Sequence, residues 1–354
     1  MPQLPFTLPL GTSMTAFCRF LLLTTILLAS LLNRATAQND TTVPPIPPPG
    51  QLIDVNGWRL HLNCTGKASP SQPTVILEAG AGGLSVDWSL VQPAVSRFAR
   101  VCSYDRAGLG WSEMGPHPRT LRQVVWELHT LLKKADVRPP FVLVGHSAGG
   151  ILVRLYAFTF PEEVAGIVLL ESGHERGVQV LRDGKLVRLV ETATGRPVPD
   201  VKTFGPLRES DIPADALTQI KEAARNMAVR ANEPPRDKLP PDAQRMRDWA
   251  FAQVKHWATN NNPFEAEELA NLYAKWTRTS YALGDRPLMV LSRGRMDSDN
   301  PEVEEEHRRN QAELLGLSRS ARQVIAPNSR HEIMLDEPHL VIRAIREVLA
   351  AASK

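Results

Sequence analysis

Short apolar runs alternate with amphipathic stretches along most of the chain. Leu52 begins two short β-prone runs joined by Asn56-Gly57, a dipeptide that favours a two-residue hairpin turn. Six further apolar runs predict buried strands, at residues 74–77, 101–104, 141–144, 166–170, 287–291 and 321–325. Strands of this kind, separated by helices, are typical of a parallel sheet covered on both faces.

Two amphipathic segments show the helical part of this pattern. Residues 121–137 carry one apolar face, formed by Leu121, Val124, Val125, Leu128, Leu131 and Leu132. The last segment begins at Asp336, a predicted N-cap, with Pro338 in the first turn. Its apolar positions, Leu340, Val341, Ile345, Val348 and Leu349, predict a final helix against the sheet.

Residues 173–285 interrupt this alternation. They contain no convincing buried strand and predict three helices, at 214–231, 242–258 and 263–283. A helical insertion between two strands is expected to form a lid over a site. The alternative is a separate helical domain with a role of its own.

The N-terminal 37 residues predict a signal peptide. Arg19 precedes a 13-residue uncharged run, residues 20–32, and Ala35-Thr36-Ala37 supplies the small-x-small pattern of a cleavage site. The run is shorter than the roughly 20 residues of a membrane-spanning helix. We therefore expect export and cleavage after Ala37, giving a periplasmic or secreted protein. An uncleaved membrane anchor is the alternative, and it would be the protein's only membrane contact.

A proline-rich stretch, residues 38–50, follows and predicts an extended spacer. The 354-residue chain is 43% hydrophobic and 22% charged, which excludes wholesale disorder and a multi-span membrane protein. Its net charge is +3, and removal of residues 1–37 leaves 39 basic against 38 acidic residues (41 less Arg19 and Arg34, and an unchanged 38). With no basic stripe, nucleic acid is not an expected partner.

The central candidate for chemistry is Gly145-His146-Ser147-Ala148-Gly149. An apolar strand enters it and a helix-like stretch leaves it, so Ser147 is expected on a tight strand-to-helix turn with its hydroxyl exposed. Glycines two positions to either side allow that turn, and the following helix directs N–H groups at the same point. We therefore predict Ser147 as the nucleophile.

An acyl-transferring serine needs hydrogen-bond donors for an oxyanion. Ala148 N–H is one candidate, and Ala81 N–H in the glycine-rich loop 79–83 is the other. The same loop partly resembles a dinucleotide-binding motif, but Ser85 stands where that motif needs a glycine or alanine. Nucleotide binding is therefore disfavoured.

His331 is the candidate general base. It follows the last predicted strand and precedes the final helix, where a loop overhangs the carboxyl ends of the strands. His146 is expected to be structural because it points away from its neighbour on the turn. Residues 331–335 do not form His-Glu-x-x-His, so no zinc site is expected.

Taken together, these motifs resemble the α/β-hydrolase superfamily, in its serine esterase and lipase-like branch with a helical cap. The resemblance covers residues 51–349 and rests on AGAGG (79–83), DRAGLGWS (105–112), GHSAGG (145–150) and SRHEIMLDEP (329–338), in the family's order. It implies an α/β fold with eight strands, the second antiparallel. The core would be 51–172 and 286–354, with a cap at 173–285 after strand six.

The resemblance leaves two positions open for the triad acid. The common position follows strand seven, where Asp297 ends a Gly-x-x-Asp pattern. Some members place the acid after strand six, where Glu171 stands, and we favour Glu171 because a buried carboxylate there needs a partner such as an imidazolium. Asp105 and Asp336 are interpreted as structural.

The resemblance also bears on the cysteines. Cys18 lies in the predicted signal peptide, and Cys64 and Cys102 remain. Two cysteines alone do not establish a pair. In the implied topology, however, they lie on adjacent antiparallel strands at the end of the sheet opposite the site, which predicts a stabilising disulfide.

The expected reaction is hydrolysis of a small ester or acyl substrate through an acyl-enzyme, without a metal or organic cofactor. A serine nucleophile disfavours the dehalogenase and epoxide hydrolase chemistry that uses aspartate in this fold. Two alternatives remain. An aminopeptidase would need a cap carboxylate for the substrate amine, with Glu265, Glu267 and Glu268 as candidates. A binding protein on the same scaffold would have no need of both Ser147 and His331.

Overall fold

The computed structural model describes residues 46–180, 185–201, 205–258 and 262–353. The predicted signal peptide and the first part of the proline-rich stretch lie outside these ranges. The end of that stretch contacts the fold, because the carbonyl of Ile46 accepts a hydrogen bond from Trp111 Nε1 at 2.6 Å.

The described residues form ten strands. They are β1 (Gln51–Asp54), β2 (Arg59–Thr65), β3 (Thr74–Glu78), β4 (Val101–Tyr104), β5 (Phe141–His146), β6 (Val164–Leu170), β7 (Val178–Val180), β8 (Leu186–Arg188), β9 (Leu288–Arg293) and β10 (Ala321–Ala326). Eight of them make one sheet in the order β1-β2-β4-β3-β5-β6-β9-β10. Only β2 runs antiparallel to its neighbours β1 and β4. The predicted eight-stranded, mostly parallel sheet is confirmed.

The hairpin between β1 and β2 forms at the predicted dipeptide. Asn56 has φ 83° and Gly57 has φ 111°. Asn56 N–H also donates to Asp54 Oδ1 at 2.9 Å, so the side chain before the turn stabilises it.

The described residues form ten α-helices. They are α1 (Gln92–Val95), α2 (Leu121–Lys134), α3 (Ala148–Thr159), α4 (Ala214–Ala228), α5 (Pro241–Phe251), α6 (Val254–Ala258), α7 (Glu265–Thr277), α8 (Pro301–Glu313), α9 (Ile333–Asp336) and α10 (Pro338–Ala352). The apolar face of α2 is buried in one core with α3, and that of α10 lies in a second core with α1. The two cores lie on opposite faces of the sheet, since strand residues alternate between them.

The start of the final helix differs from the prediction. Asp336 ends the short helix α9, and Glu337 precedes α10 without a side-chain capping bond. The Asp336 carboxylate instead accepts from Arg330 N–H at 3.1 Å and pairs with Lys238. A local pattern did not reveal this long-range partner, although Pro338 lies in the first turn as predicted.

The insertion between β6 and β9 is mostly helical, but it also contains the small β7–β8 hairpin that the apolar pattern did not predict. The helix predicted at 242–258 is two helices, α5 and α6, while α4 and α7 are shorter than predicted. Its base is attached to the core by a fully buried ion pair, in which Arg154 Nη1 donates to Glu175 Oε1 at 2.7 Å.

Cys64 and Cys102 are joined in a disulfide. They are directly opposite each other on β2 and β4, near the amino end of β4. The bond therefore lies at the edge of the sheet away from the carboxyl ends of the parallel strands. None of the helices in the described part of the chain has the length and hydrophobicity of a membrane-spanning segment.

Candidate active site

Ser147 lies on the tight turn between β5 and α3. Its backbone angles, φ 53° and ψ −124°, are ones that a residue with a side chain rarely adopts, so the turn holds the serine under strain. A Cβ on Gly145 would lie 2.5 Å from the carbonyl oxygen of Gly149, and one on Gly149 would lie 2.5 Å from that of Ala79. Any side chain at Gly145 or Gly149 would therefore clash with a neighbouring backbone carbonyl, so both positions require glycine.

The glycine-rich loop after β3 lies against this turn. A Cβ on Gly80 would be 3.2 Å from Ser147 Cβ. Arg106 holds the loop, since its Nη1 donates to Ala79 O at 2.7 Å and its Nη2 to Gly80 O. The loop that contains Ala81 and the first residue of α3, Ala148, thus flank the serine. Their roles as oxyanion donors stay a prediction.

His331 lies in the loop between β10 and α9, with 42% of its side chain exposed. His146 Nε2 donates to the His331 carbonyl at 2.9 Å, and the two rings are 4.7 Å apart. Burial lowers the pKa of His146, which favours the neutral ring. His146 therefore anchors the loop of the candidate base beside the turn that carries Ser147. This is a structural role, as expected for His146.

Glu171 directly follows β6, in a left-handed conformation with φ 43° and a fully buried side chain. Its Oε2 lies 3.8 Å from His331 Nδ1. This is longer than a hydrogen bond, as is common for catalytic pairs without substrate. Ser147 N–H donates to Leu170 O at 3.0 Å, so the elements that carry the serine and the acid are hydrogen-bonded directly.

Asp297 also approaches His331, from the loop after β9. One carboxylate oxygen from each of Glu171 and Asp297 and one ring nitrogen of His331 all lie within 4.8 Å of one another. The Asp297 side chain is 29% exposed, whereas that of Glu171 is fully buried. The structure brings both candidate acids to the imidazole, and burial distinguishes them.

The charges of the site favour an ion pair between Glu171 and His331. Burial alone would raise the pKa of Glu171, but its interactions with His307 and His331 outweigh burial and hold that pKa well below its usual range. Burial would lower the pKa of His331, but the nearby carboxylates of Glu171 and Glu332 outweigh burial and raise it. The site thus stabilises an imidazolium beside a carboxylate.

Three polar residues around Glu171 were not predicted from the sequence. Arg293 N–H donates to Glu171 Oε1 at 2.8 Å and its Nη1 to Oε2 at 2.5 Å. His307 Nε2 lies 3.1 Å from Glu171 Oε1, and Glu304 pairs with Arg293. Arg293 ends a strand at the same sheet edge as Ser147, which is the one sequence signal that could have suggested it.

Glu171, Asp297 and His331 are also, among the described residues, a group with metal-ligand spacing. A cation does not suit them, because both Glu171 oxygens already accept from Arg293, whose positive charge lies within 2.5 Å. The group fits an imidazolium better than a metal ion.

Ion pairs connect the insertion to this site. Arg236 pairs with Glu332, the residue after His331. Arg247 of α5 forms a buried pair with Asp87, whose Oδ2 accepts from Leu84 N–H at 2.9 Å at the end of the glycine-rich loop. The insertion therefore contacts both the loop of the candidate base and the loop of the candidate oxyanion hole.

The model of a family described as the alpha/beta hydrolase family matches residues 75–344. The chain belongs to this family. An AB hydrolase superfamily protein of Gibberella zeae is 27% identical over 318 residues, covering 84% of this chain and 95% of that protein. The chain is thus a hydrolase of the alpha/beta type.

Solved structures show the same fold at low identity. A thermophilic esterase from Thermogutta terrifontis aligns with a TM-score of 0.55 and 17% identity, over 86% of this chain and 99% of the esterase. The enol-lactonase from Burkholderia xenovorans aligns with a TM-score of 0.57 and 17% identity, over 85% and 100%. These likenesses support the fold, and they leave the substrate to be inferred from the site.

Proposed function

We propose that this hydrolase cleaves carboxylic esters through an acyl-enzyme on Ser147. The observation that carries the proposal is the convergence of three groups at one sheet edge. Ser147 lies on a strained turn, His331 is bound to the adjacent residue through its carbonyl, and buried Glu171 lies 3.8 Å from the imidazole. A nucleophile, a base and an orienting acid are the parts that acyl transfer needs.

In the first step, His331 accepts the Ser147 proton as the hydroxyl oxygen attacks the acyl carbon. The negative charge that develops on the carbonyl oxygen is stabilised by Ala81 and Ala148 N–H, each worth on the order of 3 kcal/mol of barrier. Glu171 stabilises the imidazolium, which then protonates the leaving alcohol. Water attacks the acyl-enzyme by the same route and releases the acid.

The accessible part of the site agrees with these roles. His331 is 42% exposed and can exchange protons with substrate, whereas Glu171 is buried and can act only through the imidazole. We assign Glu171 as the acid, because its side chain is fully buried whereas that of Asp297 is 29% exposed, and a better-solvated carboxylate stabilises an imidazolium less strongly.

Two of the three carboxylates considered for an aminopeptidase have other partners in the insertion. Glu268 accepts from the N–H groups of Leu121 and Arg122 at 2.7 and 2.9 Å, and Glu267 pairs with Arg196. Both carboxylates are thereby engaged in structural contacts. Glu265 is the remaining candidate for binding a substrate amine.

We also propose that the enzyme is exported. The signal-like pattern of residues 1–37 and the Cys64–Cys102 disulfide support this, since disulfides persist outside the cytoplasm. N-terminal sequencing of protein recovered from its native compartment should begin at Gln38. A start upstream of that residue would indicate a retained anchor.

The reaction is tested with a panel of p-nitrophenyl esters of increasing acyl length alongside aminoacyl anilides. We expect turnover of esters, little turnover of anilides, and loss of ester turnover in Ser147→Ala. Preferred turnover of anilides would favour the peptidase. Turnover of neither, in a folded protein, would favour the binding protein.

A further inference from the structure

Arg293 connects two buried carboxylates next to the candidate triad. Its Nη1 donates to Glu171 Oε2 at 2.5 Å, and its Nη2 donates to both oxygens of Glu304, at 2.9 and 3.0 Å. The Arg293 side chain is 8% exposed and those of Glu171 and Glu304 are 0% and 5% exposed. A guanidinium in this position has a fixed, planar geometry that an ammonium would not reproduce.

The contacts fix the orientation of Glu171. Its two oxygens accept from the backbone N–H and the guanidinium of Arg293, so the carboxylate cannot rotate without breaking a charge-assisted hydrogen bond. His307 makes a further contact with Oε1. The Glu171 oxygen nearest His331, Oε2, is therefore the one that accepts from the Arg293 guanidinium.

Glu304 accepts hydrogen bonds both from Arg293 and from the backbone at Asp297 and Ser298. Its Oε1 accepts from the backbone N–H of Asp297 at 3.1 Å and of Ser298 at 2.8 Å, in addition to Arg293. One carboxylate on α8 thus positions the guanidinium behind Glu171 and the backbone that carries Asp297. The Asp297 side chain itself lies 3.7 Å from Arg293 Nε.

We propose that Arg293, held by Glu304, is a positioning residue that orients the Glu171 carboxylate toward His331. This rests on the proposed function and deepens it, because it explains why the acid after β6 acts in place of the one after β9. Arg293 balances one of the negative charges at this edge. The negative charge that remains on the carboxylates stabilises the imidazolium formed when Ser147 is deprotonated.

The main test is Arg293→Met, with Arg295→Met as the matched control, since Arg295 is an exposed arginine two positions along. We expect Arg293→Met to lower kcat for the best p-nitrophenyl ester about 100-fold, the loss typical of a group misplaced by about 1 Å. KM should change less than about threefold, because Arg293 touches no substrate. Arg295→Met should leave both constants unchanged.

A double-mutant cycle with Glu171→Gln shows whether Arg293 acts through Glu171. We expect Arg293→Met to have little further effect on kcat once Glu171 is replaced. Additive losses, or coupling to Asp297→Asn in place of Glu171→Gln, would overturn the proposal.

Because Arg293→Met leaves two carboxylates buried without their partner, two variants guard against misfolding. Arg293→Lys keeps the charge and should fold with a partial loss of kcat. Arg293→Met/Glu304→Gln removes both charges of one pair, should fold, and should stay as slow as Arg293→Met. A fully active double variant would overturn the proposal.

Failure of this inference is distinguishable from failure of the proposed function. If Ser147→Ala abolishes ester turnover while Arg293→Met has wild-type kcat, only the positioning role is wrong. If Ser147→Ala retains turnover, the proposed function is wrong, whatever Arg293 does.

Discussion

Two carboxylate–histidine pairs among the described residues, Asp105–His61 and Glu171–His331, differ in how accessible the histidine is. His61 Nδ1 lies 2.9 Å from Asp105 Oδ2, and both side chains are 0% exposed. Glu171 is equally buried, but its partner His331 is 42% exposed and 3.8 Å away. A carboxylate and an imidazole thus meet inside the core in one pair and at its edge in the other.

In the first pair, the Asp105 carboxylate has further hydrogen-bond donors within the protein. Asp105 also accepts from Ser85 N–H at 2.7 Å and from Trp111 N–H at 3.3 Å. Although burial would raise the pKa of Asp105, its bonds to His61 and the backbone lower it. This carboxylate stabilises the loop that follows β4, as its predicted structural role requires, and it has no access to a substrate.

In the second pair, the imidazole of His331 remains accessible to solvent. His331 is held at its carbonyl by His146, while its ring is free to meet both Glu171 and a substrate. The comparison indicates that access of the histidine, rather than the presence of a carboxylate–histidine pair, separates a catalytic site from a structural one.

The largest expected effect is on catalysis by the accessible Glu171–His331 pair. Glu171→Gln should lower kcat/KM for an ester about 10³–10⁴-fold, because an amide neither stabilises the imidazolium nor fixes its tautomer. The variant should stay folded, as judged by circular dichroism. Asp297→Asn is the matched control and should lose less than about tenfold. The reverse ranking would move the acid to Asp297.

The next largest effect is on stability, at the buried Asp105–His61 pair. Asp105→Asn should lower the free energy of unfolding by about 1.5–3 kcal/mol, because the buried hydrogen bonds at this position lose their charged acceptor. Chemical denaturation monitored by tryptophan fluorescence measures this. At temperatures where it is folded, the variant should retain near-wild-type kcat. A large loss of kcat with unchanged stability would contradict the structural role.

A smaller effect is expected in the pH dependence. The base must be neutral to accept the Ser147 proton, so kcat/KM should fall as pH decreases through the pKa of His331. Glu171 raises that pKa. The acidic limb of the pH–rate profile, where kcat/KM falls, should therefore lie above the ordinary histidine pKa of about 6.5.

Substitutions in the two pairs should move this limb differently. Glu171→Gln removes the charge that favours the imidazolium, so the residual activity should show its limb at lower pH. Asp105→Asn should leave the limb in place. A limb that moves with Asp105 and not with Glu171 would contradict the assignment.

The sequence predicted the sheet and the positions of Ser147 and His331 because these depend on local patterns. Apolar runs of four or five residues identify buried strands, and the two glycines around Ser147 identify the turn. Arg293, Glu304 and His307 were missed because each acts through contacts with residues more than 100 positions away or on a separate element. Asp336 was misassigned for the same reason, since its partner Lys238 lies in the insertion.

The insertion was the least predictable region. Its helices were expected, but the break between α5 and α6 and the β7–β8 hairpin were not. Helical periodicity does not show how such helices pack on a site. The pairs formed by Arg236 and Arg247 therefore became visible only in three dimensions.

The most direct test of the acyl-enzyme is mass spectrometry of the protein after treatment with a fluorophosphonate. A single adduct that peptide mapping places on Ser147, absent from Ser147→Ala and formed much more slowly in His331→Ala, is the predicted result. Wild-type protein that stays unmodified, or an adduct that persists in Ser147→Ala, would contradict it.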